Sequence, residues 1–210
     1  MKLFIYQHCP FCARARMAFG LKNIPFEQQV VLEGDAETLV SRVGKKVVPI
    51  LQKDDGSFMT ESLDIVRYLD EQAPPATFVA AVPAIEQWCD QAWPLLLKLC
   101  IPRFTRAHFA ELATAAARQA YVRREEAAFG DLDALLRETP TLLQALQPGL
   151  EELETLLAQE RPSGFSDFRL YPMLRMLSIV RDVRFGPQAL GYMNRMAQRS
   201  GVPLHFDQAM

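Results

Sequence analysis

The sequence predicts an α/β domain built on a mixed four-stranded sheet, followed by an all-helical domain. Three observations carry that expectation. Residues 1–72 alternate short apolar runs with stretches of helical period, and the remainder is almost wholly helical in period. Between them, Ala73-Pro74-Pro75-Ala76-Thr77 breaks both patterns and reads as a linker. The divisions are residues 1–72, a linker at 73–83, and residues 84–210. With half of its 210 residues hydrophobic, the chain has ample material for two packed cores.

Lys2-Leu3-Phe4-Ile5-Tyr6 is apolar on both alternating faces, which predicts a central strand over residues 2–7. A helix at 10–20 follows, with Gly20 at its C-terminal cap. Lys22-Asn23-Ile24-Pro25 leads to a second strand at 26–32 and a short helix at 35–42. A third strand at 47–53 turns through Asp54-Asp55-Gly56, a strong hairpin signal, into a fourth at 57–59. A helix at 61–71 closes the unit. The order βαβαββα is that of a thioredoxin-like domain. In the second part, Pro83 opens a long helix whose apolar positions Ile85, Trp88, Cys89, Ala92, Leu95, Leu96 and Leu99 keep a 3.6 period. Pro94 should kink it and Pro102 end it. Further helices are expected at 114–129, 131–137, 141–159, 167–181 and 187–199, with Pro148-Gly149 splitting the 141–159 interval.

The chemistry concentrates in Cys9-Pro10-Phe11-Cys12, at the junction of the first strand and first helix. Pro10 suits an early helical position that needs no N–H, and the unpaired N–H groups of the first turn face the Cys9 sulfur. Such surroundings bring a thiol from about 8.5 to roughly 3.5–7.5. Cys9 is therefore the candidate nucleophile, and Cys12, one turn inward, is the shielded thiol that resolves the mixed disulfide. Pro10 should also make the pair less reducing than a glycine would. A zinc site needs further ligands; His8 adjoins Cys9, but no second Cys or His pair stands at ligand spacing, so no metal is expected.

Composition narrows the partners. A net charge of −2 offers no electrostatic footprint for nucleic acid or an anionic membrane. No apolar run approaches about 18 residues, and Met1 leads straight into the first strand without a signal-peptide pattern. Four cysteines in a chain of this length do not form a secreted disulfide framework, so a cytoplasmic location is expected.

Taken together, Tyr6-Gln7-His8-Cys9-Pro10-Phe11-Cys12, Val48-Pro49-Ile50-Leu51 and Thr60-Glu61-Ser62 resemble the bacterial type-two glutaredoxins. In these, a thioredoxin-like domain carries an all-α domain of glutathione S-transferase type. The likeness continues through Leu99, Pro102-Arg103-Phe104 and Tyr171-Pro172-Met173-Leu174-Arg175. It implies a glutathione-dependent thiol-disulfide oxidoreductase acting on glutathione mixed disulfides and protein disulfides. Glutathione would be a cosubstrate, with no cofactor bound permanently and the chain a monomer. It further implies a cis peptide before Pro49, with the backbone of Val48 pairing the cysteinyl part of glutathione. Glu61 and Ser62 would bind its γ-glutamyl end, a task that helix-start N–H groups and a hydroxyl suit. For the glycyl carboxylate, Lys22, Arg14, Arg16 and Gln7 stand open, with Lys22, Pro10 and Phe11 as auxiliary site residues. Two other readings are a glutathione S-transferase, against which Cys12 argues, and a transferase-like interaction module whose dithiol senses oxidation.

The remaining residues have plainer readings. Tyr6 is assigned to core packing. Cys89 and Cys100 sit about 16 Å apart along one helix and count as buried structural thiols. His108 and His205 lack partners at useful spacing, and Met173, Met176, Leu177 and Val180 form a packing stripe. Asp167 has Gly164 where a capping box needs Ser or Thr, leaving Ser163 or Ser166 as substitutes. Arg123-Arg124-Glu125-Glu126 reads as a solvated helix face.

Overall fold

The computed structural model describes residues 1–73, 78, 80–159 and 164–210. Strand β1, Lys2–Ile5, lies inside a four-stranded sheet of order β2-β1-β3-β4. Its neighbour β2, Glu27–Val30, runs parallel, with Lys2 opposite Glu27 and Ile5 opposite Val30. On its other side β3, Ile50–Gln52, runs antiparallel, with Leu3 opposite Leu51, and β4, Phe58–Met59, completes the sheet. Leu3, Phe4 and Ile5 are all buried, as a strand apolar on both faces requires. The edge strand β2 is shorter than its apolar flanks predict: Phe26 leaves the ladder to stack on Phe19, ring centroids 4.1 Å apart.

Helix α1, Pro10–Leu21, follows β1 and packs on α3, Ser62–Gln72, while α2, Ala36–Val43, contacts the β4 edge. Gly20 does not cap α1. It lies inside the last turn, the C-cap is Lys22, and a Cβ at position 20 would stand 1.9 Å from the backbone oxygen of Ser200. The glycine serves close approach between two helices.

The second part contains α4, Pro83–Phe104, a 3₁₀ turn at Ala110–Leu112, α5, Ala115–Phe129, α6, Leu132–Arg137, α7, Thr139–Leu157, α8, Asp167–Leu177, and α9, Pro187–Ser200. Helix α4 packs against α6, α7 and α8, and α1 packs against α8 and α9. The helix that carries the dithiol is thus seated in the helical domain. Of the expected linker, Pro74, Pro75, Ala76 and Thr77 lie outside the described residues, as does 79.

Two prolines do not act as the sequence predicts. Pro102 sits inside α4, which continues to Phe104; the buried Arg103 donates to the Leu99 carbonyl at 2.7 Å, to Thr139 at 3.0 Å and to the Met210 carbonyl at 2.9 Å, fastening this last turn. Pro148 does not divide α7. It stands on the exposed side, where water can reach the carbonyl it leaves unbonded, and the adjacent Gly149 lets the Trp88 indole donate to its carbonyl at 2.6 Å. Helix α8 stops at Leu177 instead of 181, the Ser178 hydroxyl turning back to the Arg175 carbonyl at 2.6 Å. Asp167 accepts from the Gly164 N–H at 2.9 Å, but Ser166 caps nothing. Its hydroxyl accepts from the Val82 N–H at 2.8 Å and ties α8 to the start of α4, while Ser163 lies outside the described residues. Among the described residues, no helix is long and apolar enough to cross a membrane.

Candidate active site

Cys9 is the N-cap of α1, with Pro10 in the first helical position. Its sulfur accepts the Cys12 N–H at 3.4 Å, the role an oxygen plays in an ordinary N-cap. Cys12 is fully buried, its sulfur accepting the Tyr6 N–H at 3.4 Å, and both thiols are free. The two environments separate the thiols. The Cys9 pKa is lowered to about 7: a hydrogen bond from the Cys12 thiol contributes most, burial opposes it, and the charge of His8 and the N–H groups of Cys12 and Phe11 add to the lowering. Burial and the neighbouring Cys9 push the Cys12 thiol well up. One thiol is poised as a thiolate and the other as its proton-bearing partner.

Cys9 opens into a cleft of about 390 Å³ between the two domains. Tyr6, Pro10, Phe11 and Val48 line it from the sheet side; Trp93, Ile101, Phe104, Tyr121 and Arg124 line it from the helical side. Phe11 is 42% exposed beside Trp93, and the Arg14 guanidinium lies 4.7 Å from its ring centroid. The Val48-Pro49 peptide is cis. It places Val48 at the cleft wall while Pro49 is buried at the start of β3. Glu61 opens α3 with φ +62°, a backbone conformation that non-glycine residues rarely adopt. Neither Glu61 nor Ser62 lines the cleft itself. Ser62 is buried and accepts from Arg14 at 3.4 Å, and exposed Glu61 lies 3.5 Å from Lys45.

Several sequence assignments change. Lys22 is at the far end of α1 from the dithiol, about 20 Å along the axis at 1.5 Å per residue, and pairs with buried Asp70 at 2.7 Å. It is a brace between α1 and α3, remote from any ligand at Cys9. Arg14 and Arg16 are both partly buried, Arg14 against Ser62 and Arg16 close enough to Glu111 to feel its charge. Gln7 is engaged by the Ala110 N–H at 2.9 Å. The Arg123–Glu126 cluster is solvated only in part. Arg124 turns to the cleft, bonded to Glu33 at 2.6 Å and Glu125 at 2.8 Å, and Glu125 is buried. Tyr6 is buried as expected, yet its phenol edges the cleft with no hydrogen-bond partner among the described residues. Cys89 and Cys100 are buried and free, burial pushing Cys89 up to about 12 and Cys100 higher. The described residues contain no group of three His, Cys, Asp or Glu able to hold a metal ion.

Sequence reasoning missed Lys46, Trp93, Tyr121 and Arg124 as cleft residues, together with the contact between His8 Nδ1 and Glu111 Oε1 at 2.6 Å. Lys46 stands two residues before the Val48-Pro49 motif. The others come from distant helices and carry no local signal.

A cysteine-capped helix on a thioredoxin-like sheet, facing a cleft roofed by an all-helical domain, defines a thiol-disulfide oxidoreductase of glutathione S-transferase fold. Residues 84–209 match the family model "Glutaredoxin 2, C terminal domain", and residues 3–77 match "Glutathione S-transferase, N-terminal domain". The chain is 40% identical to Glutaredoxin 2 of Escherichia coli strain K12, covering 97% of each sequence. The crystal structure of Glutaredoxin 2 from Salmonella typhimurium in complex with glutathione superposes with a TM-score of 0.96 at 37% identity, covering 100% of this chain and 98% of that one. Gtt2 of Saccharomyces cerevisiae shares the fold at a TM-score of 0.61 and 19% identity, over 96% and 98% of the two chains. The chain belongs to the glutaredoxin 2 family and is a glutathione-dependent disulfide oxidoreductase.

Proposed function

We propose that the chain reduces glutathione mixed disulfides and protein disulfides at Cys9, with glutathione held along the wall of the interdomain cleft. The observation that carries this reading is the Cys9 thiol itself, capping α1 at the cleft with a pKa near 7 beside the cis-Val48-Pro49 edge. In the first step the Cys9 thiolate attacks the glutathione sulfur of a mixed disulfide. A bond forms between Cys9 and glutathione, and the substrate leaves as a thiolate that takes up a proton. A second glutathione thiolate attacks the glutathione sulfur on Cys9, releasing oxidised glutathione and restoring the Cys9 thiolate. With a protein disulfide, Cys12 loses its proton and attacks Cys9 instead, closing the Cys9–Cys12 disulfide and freeing the substrate dithiol. Two glutathiones then reopen it.

The backbone of Val48, turned outward by the cis bond before Pro49, pairs with the cysteinyl part of glutathione as a short strand edge. Ser62 and the N–H groups opening α3 take the γ-glutamyl carboxylate, with Arg14 bonded to the same hydroxyl adding a positive charge, and Glu61 orients the ammonium. Lys46, on the cleft wall beside Val47 and Val48, takes the glycyl carboxylate in place of Lys22. Pro10 starts the helix, and Phe11 with Trp93 lines the approach to Cys9. The domains are residues 1–72 and 84–210, the chain acts as a cytoplasmic monomer, and it needs no permanently bound cofactor, metal, nucleic acid or membrane.

The test is a glutathione-coupled assay with a mixed disulfide, run beside one with an electrophilic acceptor. Mixed-disulfide reduction should dominate, and a dominant electrophile rate would replace this reading with a transferase.

A further inference from the structure

The residue before the nucleophile is gripped from the other domain. Glu111 Oε1 accepts the His8 backbone N–H at 2.9 Å and meets the His8 ring Nδ1 at 2.6 Å. One residue earlier, Gln7 Oε1 accepts the Ala110 N–H at 2.9 Å. The 3₁₀ turn Ala110–Leu112, of the helical domain, therefore pins two consecutive residues of the loop that ends in Cys9. Glu111 is fully buried, and among the described residues its second carboxylate oxygen has no hydrogen-bond partner. A buried carboxylate is costly unless it answers a positive charge. Burial opposes its ionisation, but the bonds from His8 outweigh it and lower its pKa.

The His8 ring is caged. It stacks on Tyr6 at 5.8 Å, meets Tyr121 edge-on at 4.8 Å and contacts Phe104 and Phe109, so its orientation is fixed beside the cleft. Other titratable and charged groups surround this centre: the phenols of Tyr6 and Tyr121, both kept neutral by burial; Cys12; Arg16 and Arg175, with His205 held neutral by burial and those arginines; and Arg124, offset by Glu33 and Glu125. Among these, His8 is the ring covalently next to Cys9, and Glu111 is the carboxylate that meets it.

We propose that Glu111 is a positioning residue for the disulfide reaction: acting through His8, it fixes the Cys9 loop from the helical domain and sustains a positive charge beside the Cys9 sulfur. The inference rests on Cys9 being the nucleophile. It gives the helical domain a part in activating the thiol, beyond roofing the cleft.

The experiment is the pH dependence of Cys9 alkylation by iodoacetamide in wild type, Glu111→Gln and His8→Asn, with mixed-disulfide turnover measured on the same proteins and on Cys9→Ser. Glutamine preserves the shape and an acceptor oxygen at 111 while removing the charge. The wild-type midpoint should lie at about 7. In both variants it should rise by about one unit, so that the rate at pH 7 falls roughly fivefold and recovers at high pH, as the loss of one stabilising charge requires. A purely structural role would lower the rate at every pH and leave the midpoint in place, which overturns the proposal. Should either variant fail to fold, the wild-type His8 ring still decides: protons on both ring nitrogens, with Nδ1 bonded to Glu111, are expected by nitrogen-edited NMR at pH 7, and a ring carrying a proton on one nitrogen only contradicts the proposal. Cys9→Ser with wild-type turnover would refute the nucleophile itself. An inert Cys9→Ser with unmoved midpoints in the two other variants would refute this inference alone.

Discussion

Gly20→Ala isolates the contact that joins the dithiol helix to the helical domain, and the two effects it sets against each other have opposite signs. Considered as a helix residue alone, alanine should stabilise α1 by up to about 1 kcal/mol over glycine. The structure opposes that gain. An alanine Cβ would lie 1.9 Å from the Ser200 oxygen, 2.5 Å from its carbonyl carbon and 2.9 Å from its Cα. All three are backbone atoms at the end of α9, so no rotamer change clears them. Reaching an ordinary contact near 3.4 Å requires the helices to part by about 1.5 Å locally, which opens the packing of α1 on α9. Overpacking of this kind costs about 1–3 kcal/mol, and a clash with backbone belongs at the upper end, so the net loss is about 2 kcal/mol. For a chain of this size that lowers Tm by roughly 4–8 °C. Thermal unfolding followed by far-ultraviolet circular dichroism reads it directly. A Gly20→Ala protein with an unchanged or higher Tm would refute the close-approach argument and restore the glycine to an ordinary helix position.

Two further substitutions separate scaffold from site. Lys22→Met should lower stability in urea unfolding, by up to about 3–5 kcal/mol, because it removes the cation that the buried Asp70 meets at 2.7 Å while the Phe78 N–H bond to Asp70 stays, and the KM for glutathione should be unchanged; a raised KM with unchanged stability would return Lys22 to the site. Glu61→Gly should relieve backbone strain of about 1–3 kcal/mol at φ +62°, against the loss of an exposed 3.5 Å pair with Lys45 worth at most about 1 kcal/mol. Its Tm should therefore hold or rise while the KM for glutathione rises; a lower Tm with unchanged KM would remove Glu61 from the binding site.

What could be read from the sequence was local. The strand-to-helix placement of Cys9-Pro10-Phe11-Cys12 depends on neighbours within a few residues, and so does the hairpin at Asp54-Asp55-Gly56, which closes with the Gly56 N–H on the Lys53 carbonyl at 3.0 Å. Misreadings arose where tertiary packing decides. Gly20 near the end of a helical run looks like a cap, and only the arrival of Ser200, 180 residues later, shows what the missing Cβ is for. Pro102 and Pro148 look like breaks, yet α4 and α7 continue through them because Arg103 secures one turn and solvent serves the other. Closeness in sequence links Lys22 to the dithiol, whereas a helix carries residue 22 away from residue 9. His8 and Glu111 are 103 positions apart, and Arg124 and Glu33 are 91 apart; no periodicity or spacing connects such pairs.

In the proposed mechanism Cys9 takes up the glutathionyl group and Cys12 serves only to resolve protein disulfides. The most direct measurement is glutathione-coupled reduction of a small glutathione mixed disulfide by Cys9→Ser and Cys12→Ser, with the protein's intact mass followed in the absence of free glutathione. Cys12→Ser should turn over and accumulate one glutathionyl group, and Cys9→Ser should be inert and unmodified. Turnover by Cys9→Ser, or an inactive Cys12→Ser, would contradict that division of roles.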